Sequence, residues 1–327
     1  MRIATFNLES LDLPPKASAP IEVRAQLLRP ALARLDADVL CLQEVNAQHV
    51  PGRSERVLAA LDQLVAGTAY AGYHRAATTR SGGKGAADVH NLVTLSRFPV
   101  RGSREVRHDL VPPVRHALQT ADPAEREPQP ICFDRPLLVT EVELSDGQFL
   151  SVINLHLRAP LAVSIAGQKV SPFVWRSIVG WAEGYFVSSV RRSAQALELR
   201  MLIDQLLTAD PQRLIAVAGD FNAEDHETPL RIAVGAEEDT GNGLLSARSL
   251  VVLDRYIPDD RRWSVLHHGR PQMLDHILAS RTLYGHFRSI EVHNETLGDE
   301  AIGYARVSRS IGSYHAAVVA EFSLGRE

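Results

Sequence analysis

A short apolar run that stops abruptly at polar residues, Leu214–Ala218, constrains most strongly how this chain can fold. Its length and β-branched content are typical of a strand buried inside an α/β protein. It ends in Gly219-Asp220-Phe221-Asn222, so a carboxylate and a carboxamide stand at the exit of the strand. Such a sequence can be a simple Asp/Asn turn, and strand exits are also where α/β proteins place catalytic groups. The remaining strands must decide between these two interpretations.

Other predicted strands also carry polar side chains at or near their ends. These side chains are acids, amides and imidazoles, and no serine or cysteine stands beside a base as a nucleophile would. They are Asn7, Glu44, His156, Asp275 and His315. Carboxylate and amide oxygens suit a hard cation such as Mg²⁺ or Mn²⁺, whereas no Cys/His cluster suits zinc. The pattern favours a metal-dependent site that hydrolyses phosphate esters, because it offers groups for anionic oxygens and for an attacking water.

Length and composition set the outer bounds. The chain has 327 residues, of which 45% are hydrophobic and 23% are charged, so it can bury a large core as two domains or as one large α/β domain. The formal net charge of −4 is too mild for the strongly basic footprint of many nucleic-acid-binding proteins. A local basic cleft remains compatible with it.

The two cysteines and the amino terminus indicate the compartment. Cys41 and Cys132 each fall in an apolar, strand-like run, so we predict reduced core residues and no disulfide framework. No signal-peptide pattern precedes the first strand, and no run approaches about 20 apolar residues. We therefore expect a cytoplasmic protein without integral membrane association.

Helices and loops are predicted between the strands. Ile21–Leu35 and Ser54–Val65 have helical spacing of apolar residues, and Ser54 is a candidate N-cap. Val100–Arg107 is predicted to pair with the strand His90–Ser96. The polar, Pro-rich loop 110–130 is long enough for a substrate-facing or lid role, which stays open beside ordinary surface.

The segment Phe173–Leu207 predicts one broken helix or two consecutive helices. It carries Trp175, Trp181, Tyr185 and Phe186. We expect most of these aromatic side chains to pack the helix onto a sheet. A cap over the functional site is the alternative.

The order of these motifs resembles the endonuclease/exonuclease/phosphatase superfamily. That superfamily includes DNase I-like nucleases, abasic-site endonucleases, inositol-polyphosphate 5-phosphatases and neutral sphingomyelinases. The resemblance implies an α/β protein with a four-layer αββα sandwich, in which two packed, mostly antiparallel mixed β-sheets are flanked by helices. It implies a single domain over residues 1–327, with a helical aromatic insertion at about 159–207. The motifs are Thr5-Phe6-Asn7, Leu42-Gln43-Glu44-Val45, Leu95-Ser96-Arg97-Phe98-Pro99, Asn154-Leu155-His156-Leu157, Gly219-Asp220-Phe221-Asn222, Leu274-Asp275-His276 and Ser313-Tyr314-His315.

The resemblance also implies roles for individual residues. Glu44 is implied as the principal ligand of Mg²⁺ or Mn²⁺, with Asn7 beside it on the metal or the phosphate. Asp220 is implied to orient or deprotonate the attacking water. The other implied catalytic residues are Asn222, which helps to hold a phosphoryl oxygen, His315, whose ring Asp275 holds, and His156, which stabilises the pentavalent oxygens or protonates the leaving group.

One position departs from the superfamily pattern. Tyr314 stands where an aspartate at the metal is usual, so one anionic oxygen is lost and cation binding is expected to weaken or to change its metal preference. Tyr314 is instead a candidate donor to a phosphate oxygen. The expected substrate-binding residues are Asn7, Asn91, Arg135 and Tyr314. For Arg135, a charge pair at the strand edge is an equally good interpretation.

Two classes of function remain. The first is a metal-dependent phosphoesterase, more a phosphodiesterase than a monoesterase, and the second is a degenerate module that binds phosphate or nucleic acid without hydrolysis. The expected partner is a phosphoester substrate, either nucleic acid or a small or lipid phosphodiester, and no protein partner is predicted. For a lipid, the aromatic insertion is expected to border the cleft. For a nucleic acid, the candidate basic rim is Arg80, Lys84, Arg97, Arg101, Arg104, Arg107 and Arg115.

Overall fold

Two six-stranded β-sheets pack against each other and carry most of the polar residues named above. The structure, a computed structural model, describes residues 1–14, 19–80, 82, 84–300 and 311–324. Its helices are α1 (Ile21–Leu35), α2 (Ala59–Val65), α3 (Ile178–Ala209), α4 (Thr228–Val234) and α5 (Arg281–Tyr284), with short 3₁₀ turns at Ala69–Gly72, Glu237–Thr240, Gly243–Arg248 and Leu253–Tyr256. Its strands are β1 (Arg2–Leu11), β2 (Val39–Val45), β3 (His74–Ala77), β4 (Asn91–Ser96), β5 (Val100–Val106), β6 (Val114–His116), β7 (Gln129–Ile131), β8 (Leu137–Glu143), β9 (Phe149–His156), β10 (Lys169–Ser171), β11 (Val174–Trp175), β12 (Leu214–Asp220), β13 (Val251–Val252), β14 (Val265–His267), β15 (Arg270–Gln272), β16 (Asp275–Ala279), β17 (Phe287–Val292) and β18 (Val318–Phe322).

The strand orders are β17-β18-β1-β2-β4-β3 in the first sheet and β13-β16-β12-β9-β8-β5 in the second. Within these two sheets β1 pairs in parallel with β2 and β9 with β12, and the other pairs are antiparallel. Both sheets are therefore mixed and mostly antiparallel, as predicted. Because parallel strands end at the same edge of a sheet, the carboxyl ends of β1 and β2, and those of β9 and β12, bring their polar residues together.

The apolar core explains the four layers. Ile3 and Val39 of the first sheet meet Val152, Ala216 and Ile277 of the second in one buried cluster. The outer face of the first sheet is covered by α1 and α2, chiefly through Leu28, Leu32, Leu61 and Leu64. The outer face of the second is covered by α3 and α4, chiefly through Leu199, Leu202, Ile203 and Leu230. The predicted helix–sheet–sheet–helix sandwich is confirmed.

A buried polar bridge joins the two sheets inside this apolar core. The amide of Gln43 on β2 donates from Nε2 to Oδ1 of Asn154 on β9 at 2.8 Å. Asn154 in turn donates to the carbonyl oxygens of Leu42 and Val93 in the first sheet, at 3.2 and 3.0 Å. Thr5 donates to Oε1 of Gln43 at 3.2 Å. All of these buried bonds form together only when the two sheets are in one relative position, so the bridge favours that alignment of the sheets.

The predicted pairing of Val100–Arg107 with the preceding strand is wrong. β5 pairs with β8 in the second sheet, so the chain crosses between sheets at Arg97-Phe98-Pro99. Phe98 is buried in the core between the sheets, and the hydroxyl of Ser96 hydrogen-bonds both the N–H and the carbonyl of Phe98. The sequence predicted the strand itself, but the residues of a strand carry no information on which sheet it joins.

The start of the second predicted helix is also different. Residues 54–58 are not helical, and α2 begins at Ala59. Ser54 therefore does not cap it. The side chain of Gln48 does so instead, because its Oε1 accepts the N–H of Ala60 at 3.0 Å.

The two cysteines differ in their environment, and neither forms a disulfide. Cys41 is buried in β2 as predicted, and burial raises the pKa of its thiol to about 12. Cys132 is exposed in the connection between β7 and β8, so its predicted core position is wrong.

The helix α3 is a single continuous helix of 32 residues, which begins later than predicted because Ser177 caps it by accepting the N–H of Gly180. Its carboxyl-terminal part packs on the second sheet, and its amino-terminal part projects beyond it. Trp181, Tyr185 and Phe186 are 45%, 37% and 50% exposed, so the expectation that they pack on the sheet is wrong. In the described part of the chain, no helix is both long and apolar enough to span a bilayer.

Two glutamates of α3 hold the loop 110–130 and the residues before it. Glu183 accepts the N–H of Gln119, and both the N–H and the hydroxyl of Thr120, at 2.6 to 2.8 Å. Glu198 accepts the N–H groups of His108, Leu110 and Val111. The loop is thus fastened along the helix through its backbone.

The bridge between the sheets predicts energetic coupling. We expect Asn154→Leu and Gln43→Leu each to lower the free energy of unfolding by about 2 to 4 kcal/mol, because each leaves buried polar groups unpaired. The double variant should lose less than the sum, with a coupling energy of about 1 kcal/mol or more. Urea unfolding of the parent, the two single variants and the double variant measures the coupling energy. Strictly additive losses of stability would show that the two side chains are not coupled.

The fastening of the loop predicts a dependence of stability on pH. Burial alone would raise the pKa of Glu183, but the hydrogen bonds from Thr120, Gln119 and His116 outweigh it and lower the pKa to about 2 from an ordinary 4.5. The ionised carboxylate therefore stabilises the fold above about pH 4.5, and this contribution is lost as the pH falls towards 2. We expect Glu183→Gln to have a lower free energy of unfolding than the parent at pH 7. The difference between the two proteins should become smaller as the pH falls.

Urea unfolding at several pH values measures that difference. The matched control is Glu127→Gln, which changes an exposed glutamate of the same loop and should leave stability unchanged. If the difference in free energy of unfolding between Glu183→Gln and the parent stays constant down to pH 3, the charge of Glu183 does not hold the loop.

Candidate active site

The predicted site residues meet at one edge of the sandwich, where strands of both sheets end. In the second sheet, Asp220 on β12 lies directly opposite His156 on β9 and Asp275 on β16. The first sheet contributes Asn7 from β1 and Glu44 from β2. Asn7 donates from Nδ2 to Asp220 Oδ2 at 3.1 Å and to Glu44 Oε1 at 3.4 Å, so it joins the carboxylates of the two sheets.

Gly219 is required for this arrangement. A Cβ atom at this position would lie 2.1 Å from the carbonyl oxygen of Leu155, which no side chain can tolerate. The close approach lets β12 continue beside β9 as far as the pair Asp220 and His156. Backbone proximity therefore explains why a glycine precedes the aspartate.

Glu44 sits at an irregular point of β2, where its own φ is +58° and the pairing registers shift. Its Oε2 accepts the N–H of Ser10 at 2.9 Å and the hydroxyl of Ser10 at 3.2 Å. Its side chain is 17% exposed, so the carboxylate reaches the surface of the site. Burial alone would raise the pKa of Glu44, but the charges of His90, His315 and Arg135 outweigh it and lower the pKa.

His156 lies between two carboxylates. Its Nε2 is 3.2 Å from Asp220 Oδ2 and 3.9 Å from Glu44 Oε1. Its Nδ1 is buried and has no hydrogen-bond partner among the described residues. Burial, together with the charge of Arg135, lowers the pKa of His156 well below its ordinary value. The ring is therefore neutral at neutral pH, with Nε2–H turned to the carboxylates.

Asp220 is almost fully buried at the centre of the cluster. Its Oδ1 accepts the N–H of Asn222 at 2.8 Å, and its Oδ2 faces Asn7 and His156. Burial, reinforced by the charge of Asp275, raises the pKa of Asp220 to about 7. The carboxylate can therefore exchange a proton near neutral pH.

His315 and Asp275 form a second pair. Nδ1 of His315 is 2.8 Å from Asp275 Oδ2, and its Nε2 lies 4.0 Å from Asp220 Oδ2. Burial would lower the pKa of His315, but the charge and hydrogen bond of Asp275 outweigh it and raise the pKa to about 10. The ring is therefore an imidazolium at neutral pH.

His90 is a site residue that sequence reasoning missed. It precedes β4 with a φ of +59°, and its Nδ1 lies 3.8 Å from Glu44 Oε2. Arg135 donates from Nη2 to the same Nδ1 at 3.2 Å, which brings Arg135 to the site. In the sequence His90 was only the first residue of the predicted strand His90–Ser96, and that position does not reveal a left-handed residue.

Two expected substrate-binding residues lie behind the surface of the site. Asn91 is 1% exposed, and its amide bonds the backbone of Val45 and Ala87, so it holds the turn that carries His90. Tyr314 is 6% exposed. Its N–H donates to Glu9 Oε2 at 2.7 Å, so a carboxylate from β1 stands next to the position where the superfamily aspartate is missing.

Asn222 is placed at the site by its backbone. Its φ is +49°, its side chain donates to the carbonyl of Leu157 at 3.1 Å, and Arg192 of α3 donates to its carbonyl oxygen. Arg192 had no signal in the sequence beyond its helical position.

Arg24 of α1 holds two site segments together, although its helical spacing alone is typical of solvated surface. Its side chain is only 1% exposed. Its guanidinium donates to the carbonyl oxygens of Leu8 at 2.5 Å and Gly312 at 3.1 Å, and also to those of Glu9, Ser10 and Ile311. One buried cation thus ties the turn that orients Glu44 to the segment that precedes His315.

The donor set fits a divalent cation. The carboxylates of Glu44, Asp220 and Asp275 meet at one edge of the two sheets, beside the rings of His156 and His315. Ligand atoms of Glu44, His90 and His156 lie within 4.8 Å of one another, and so do those of Asp220, Asp275 and His315. The Oδ1 of Asn7 accepts the N–H of Glu9, and its Nδ2 donates to the carboxylates, so Asn7 has no oxygen turned to the cation site. The carboxylate of Glu44 therefore provides the oxygen ligand at the surface of the site.

The fold recurs in solved structures over nearly the whole chain. A 3′ phosphatase from Neisseria bound to a product DNA hairpin is 17% identical, with a TM-score of 0.55 and 99% of both chains covered. An endonuclease/exonuclease/phosphatase family protein from Leptotrichia buccalis is 16% identical, with a TM-score of 0.55 and 99% of both chains covered. An AP endonuclease from Archaeoglobus fulgidus is 16% identical, with a TM-score of 0.53 and 99% of both chains covered. At these identities the likeness shows the fold alone.

No curated protein sequence matches this chain. The model of the endonuclease/exonuclease/phosphatase family matches residues 4–315. That range contains every site residue described above, from Asn7 to His315. Because the match covers nearly all of the chain, the protein belongs to the endonuclease/exonuclease/phosphatase family.

Proposed function

We propose that the protein hydrolyses phosphodiesters at this site with Mg²⁺ or Mn²⁺ and an attacking water. The observation that supports this most directly is the meeting of Glu44, Asp220 and Asp275 with His156 and His315 at one edge of both sheets. A bound divalent cation would neutralise charge on phosphoryl oxygens and lower the pKa of a bound water. Glu44 would hold it, as the carboxylate that reaches the surface.

Asp220 is the residue that orients or deprotonates the water. Its Oδ1 is occupied by the N–H of Asn222, so only Oδ2 faces the space shared with His156 and His315. A pKa raised to about 7 is suited to a general base near neutral pH.

The cationic groups would bind the phosphoryl oxygens. His315 is held as an imidazolium by Asp275, and Arg135 is held beside His90. His156 is neutral, so we assign it no role as a charged acid; its Nε2–H holds Asp220 and, in exchange for that contact, is the donor available to the pentavalent oxygens. Asn7 turns N–H groups to the cluster and would add a further donor.

The charge of the site does not by itself separate a diester from a monoester. A phosphate monoester carries about two negative charges at neutral pH and a diester one. Arg158 adds to the positive charge near His90 and Arg135, and a bound divalent cation would add two more charges. We favour the diester because the fold is shared with an AP endonuclease, and the substrate class then comprises nucleic acids and small or lipid phosphodiesters.

Two residues of the basic rim considered for nucleic acid lie away from the site. Arg97 pairs with Asp38, and Arg101 pairs with Glu143. Arg97 follows the end of β4 that is opposite Asn91 and Glu44, since Ser96 pairs with Val39 and Asn91 with Val45. Arg101 lies beside the end of β8 that pairs with the start of β9, whereas His156 is at the end of β9. These two residues therefore give no support for nucleic acid as the substrate.

The proposal predicts strict dependence on metal. Hydrolysis of a bis-aryl phosphodiester should require Mg²⁺ or Mn²⁺ and stop in EDTA, and Glu44→Gln should lower kcat/KM by about 100-fold or more. Titration calorimetry should show weaker Mn²⁺ binding by Glu44→Gln. The matched control, Glu291→Gln on the exposed strand β17, should change neither value.

Two outcomes would contradict the proposal. Full activity in EDTA would remove the metal from the mechanism. If the folded protein neither binds Mn²⁺ nor hydrolyses the diester, the degenerate binding module is favoured. Tyr314, in place of the usual aspartate, is the residue that suggests this alternative.

The contacts of Arg24 predict that it positions the site. A lysine cannot reach five carbonyl oxygens, so we expect Arg24→Lys to lower the free energy of unfolding by about 2 to 4 kcal/mol. We also expect kcat/KM to fall about tenfold or more in the folded protein, because the turn at Ser10 loses its anchor. Circular dichroism and diesterase assays measure the two effects.

Arg29→Lys is the matched control for this variant. Arg29 lies on the same helix and donates to the carbonyl oxygens of Leu64 and Gln63, which belong to the α2 segment and not to the site. Equal activity of the two folded variants would show that Arg24 stabilises the fold without positioning the site.

A further inference from the structure

The projecting end of α3 exposes an unusual amount of apolar surface. Phe173 is 94% exposed, Ile178 85% and Val179 62%. Soluble proteins rarely leave large apolar side chains exposed in one contiguous segment. We call this surface the apolar tip, and it consists of Val170, Phe173, Val174, Ile178, Val179 and Trp181.

The tip is a built structure. It is formed by the hairpin β10–β11 and the first turns of α3. Gln168 joins the two parts, because its carbonyl accepts the N–H of Arg176 and its Oε1 accepts the hydroxyl of Ser177. The ammonium of Lys169 lies 4.0 Å from the ring centre of Trp175. The apolar side chains are thus presented on a hydrogen-bonded support.

The charged residues of the segment that carries the tip are cations. Residues 159–182 contain Lys169 and Arg176 and no aspartate or glutamate. Glu183, the next acid along the chain, is turned to the backbone of the loop 110–130. Asp122 of the loop packs against Gly167, and its N–H donates to the carbonyl oxygen of Ala166 at 3.0 Å.

The tip lies on the same side of the molecule as the active site. Arg192 of α3 donates to the carbonyl of Asn222. Ile178 is 14 residues earlier on the same helix. At about 1.5 Å per residue the tip extends roughly 21 Å beyond that contact.

We propose that the apolar tip docks on an anionic lipid membrane surface. Aliphatic and aromatic side chains flanked by cations are the composition of segments that enter the interfacial region of a bilayer. Lys169 and Arg176 would lie at the level of anionic headgroups, and the tryptophan side chain suits the interface between lipid and water.

Other occupants fit less well. Single-stranded nucleic acid stacks on a row of aromatic rings, whereas only Phe173 and Trp181 of the tip are aromatic and its four other side chains are aliphatic. A second copy of the chain would bring the same cations against each other. The absence of acids within residues 159–182 is what selects an anionic partner.

Docking would turn the catalytic edge towards the lipid surface, so a lipid phosphodiester becomes the favoured substrate. This consequence rests on the proposed function, whereas the docking itself does not. Vesicle binding and hydrolysis must therefore be measured separately.

The test is flotation of the full-length protein with phosphatidylcholine vesicles, with and without phosphatidylserine. We expect binding that requires phosphatidylserine and that falls about tenfold or more in Phe173→Ser/Ile178→Ser. Arg176→Gln should weaken binding to the anionic vesicles only. The matched control is Leu244→Ser, since Leu244 is 88% exposed near the opposite end of α3, where Arg248 contacts Asp204.

All variants should hydrolyse the soluble bis-aryl diester as the parent does, because none touches the active site. Binding to vesicles without any hydrolysis of the diester would contradict the proposed function and would still support docking. Hydrolysis without binding to vesicles would overturn docking. Docking would also be overturned if the tip variant abolished a dimer or the binding of single-stranded DNA while vesicle binding stayed unchanged.

Discussion

The hydrogen bond between Gln43 and Asn154 is the interaction on which the site depends. It crosses the apolar interface between the two sheets, one residue before Glu44 on β2 and two residues before His156 on β9. Apolar packing alone tolerates small shifts of one sheet on another, whereas a buried amide pair has one favourable register. The bridge therefore sets the distance between Glu44 in the first sheet and His156 in the second.

The same alignment creates the electrostatics of the site. Burial between the sheets, reinforced by the charge of Asp275 and, less, by that of Glu44 from the first sheet, raises the pKa of Asp220, while Asp275 keeps His315 charged. The lowered pKa of Glu44 and the raised pKa of Asp220 suit the two carboxylates to the roles proposed for them, a metal ligand and a base. Arg24 supports this division from outside the sheets, since it anchors the turn that binds Glu44.

The sequence predicted the layers of the fold, because buried strands and amphipathic helices leave clear periodic patterns and the motif order matched one family. It also brought out Glu44, Asp220, Asp275 and His315, each next to an apolar run. It could not place β5, since pairing between distant strands leaves no local signal. His90 and Arg24 were missed because their roles come from a left-handed turn and from carbonyl oxygens distant in sequence. The aromatic residues of α3 were misplaced because periodicity shows a face without showing whether anything covers it.

The central claim is that the surface carboxylate of Glu44 holds the cation while Asp220 is left free to act on water. Crystals grown with Mn²⁺ and measured at a wavelength with strong manganese anomalous scattering test it directly. The account predicts an anomalous peak at the carboxylate of Glu44, on the side of Asn7. A peak enclosed by Asp220, Asp275 and His315, with none at Glu44, would contradict it.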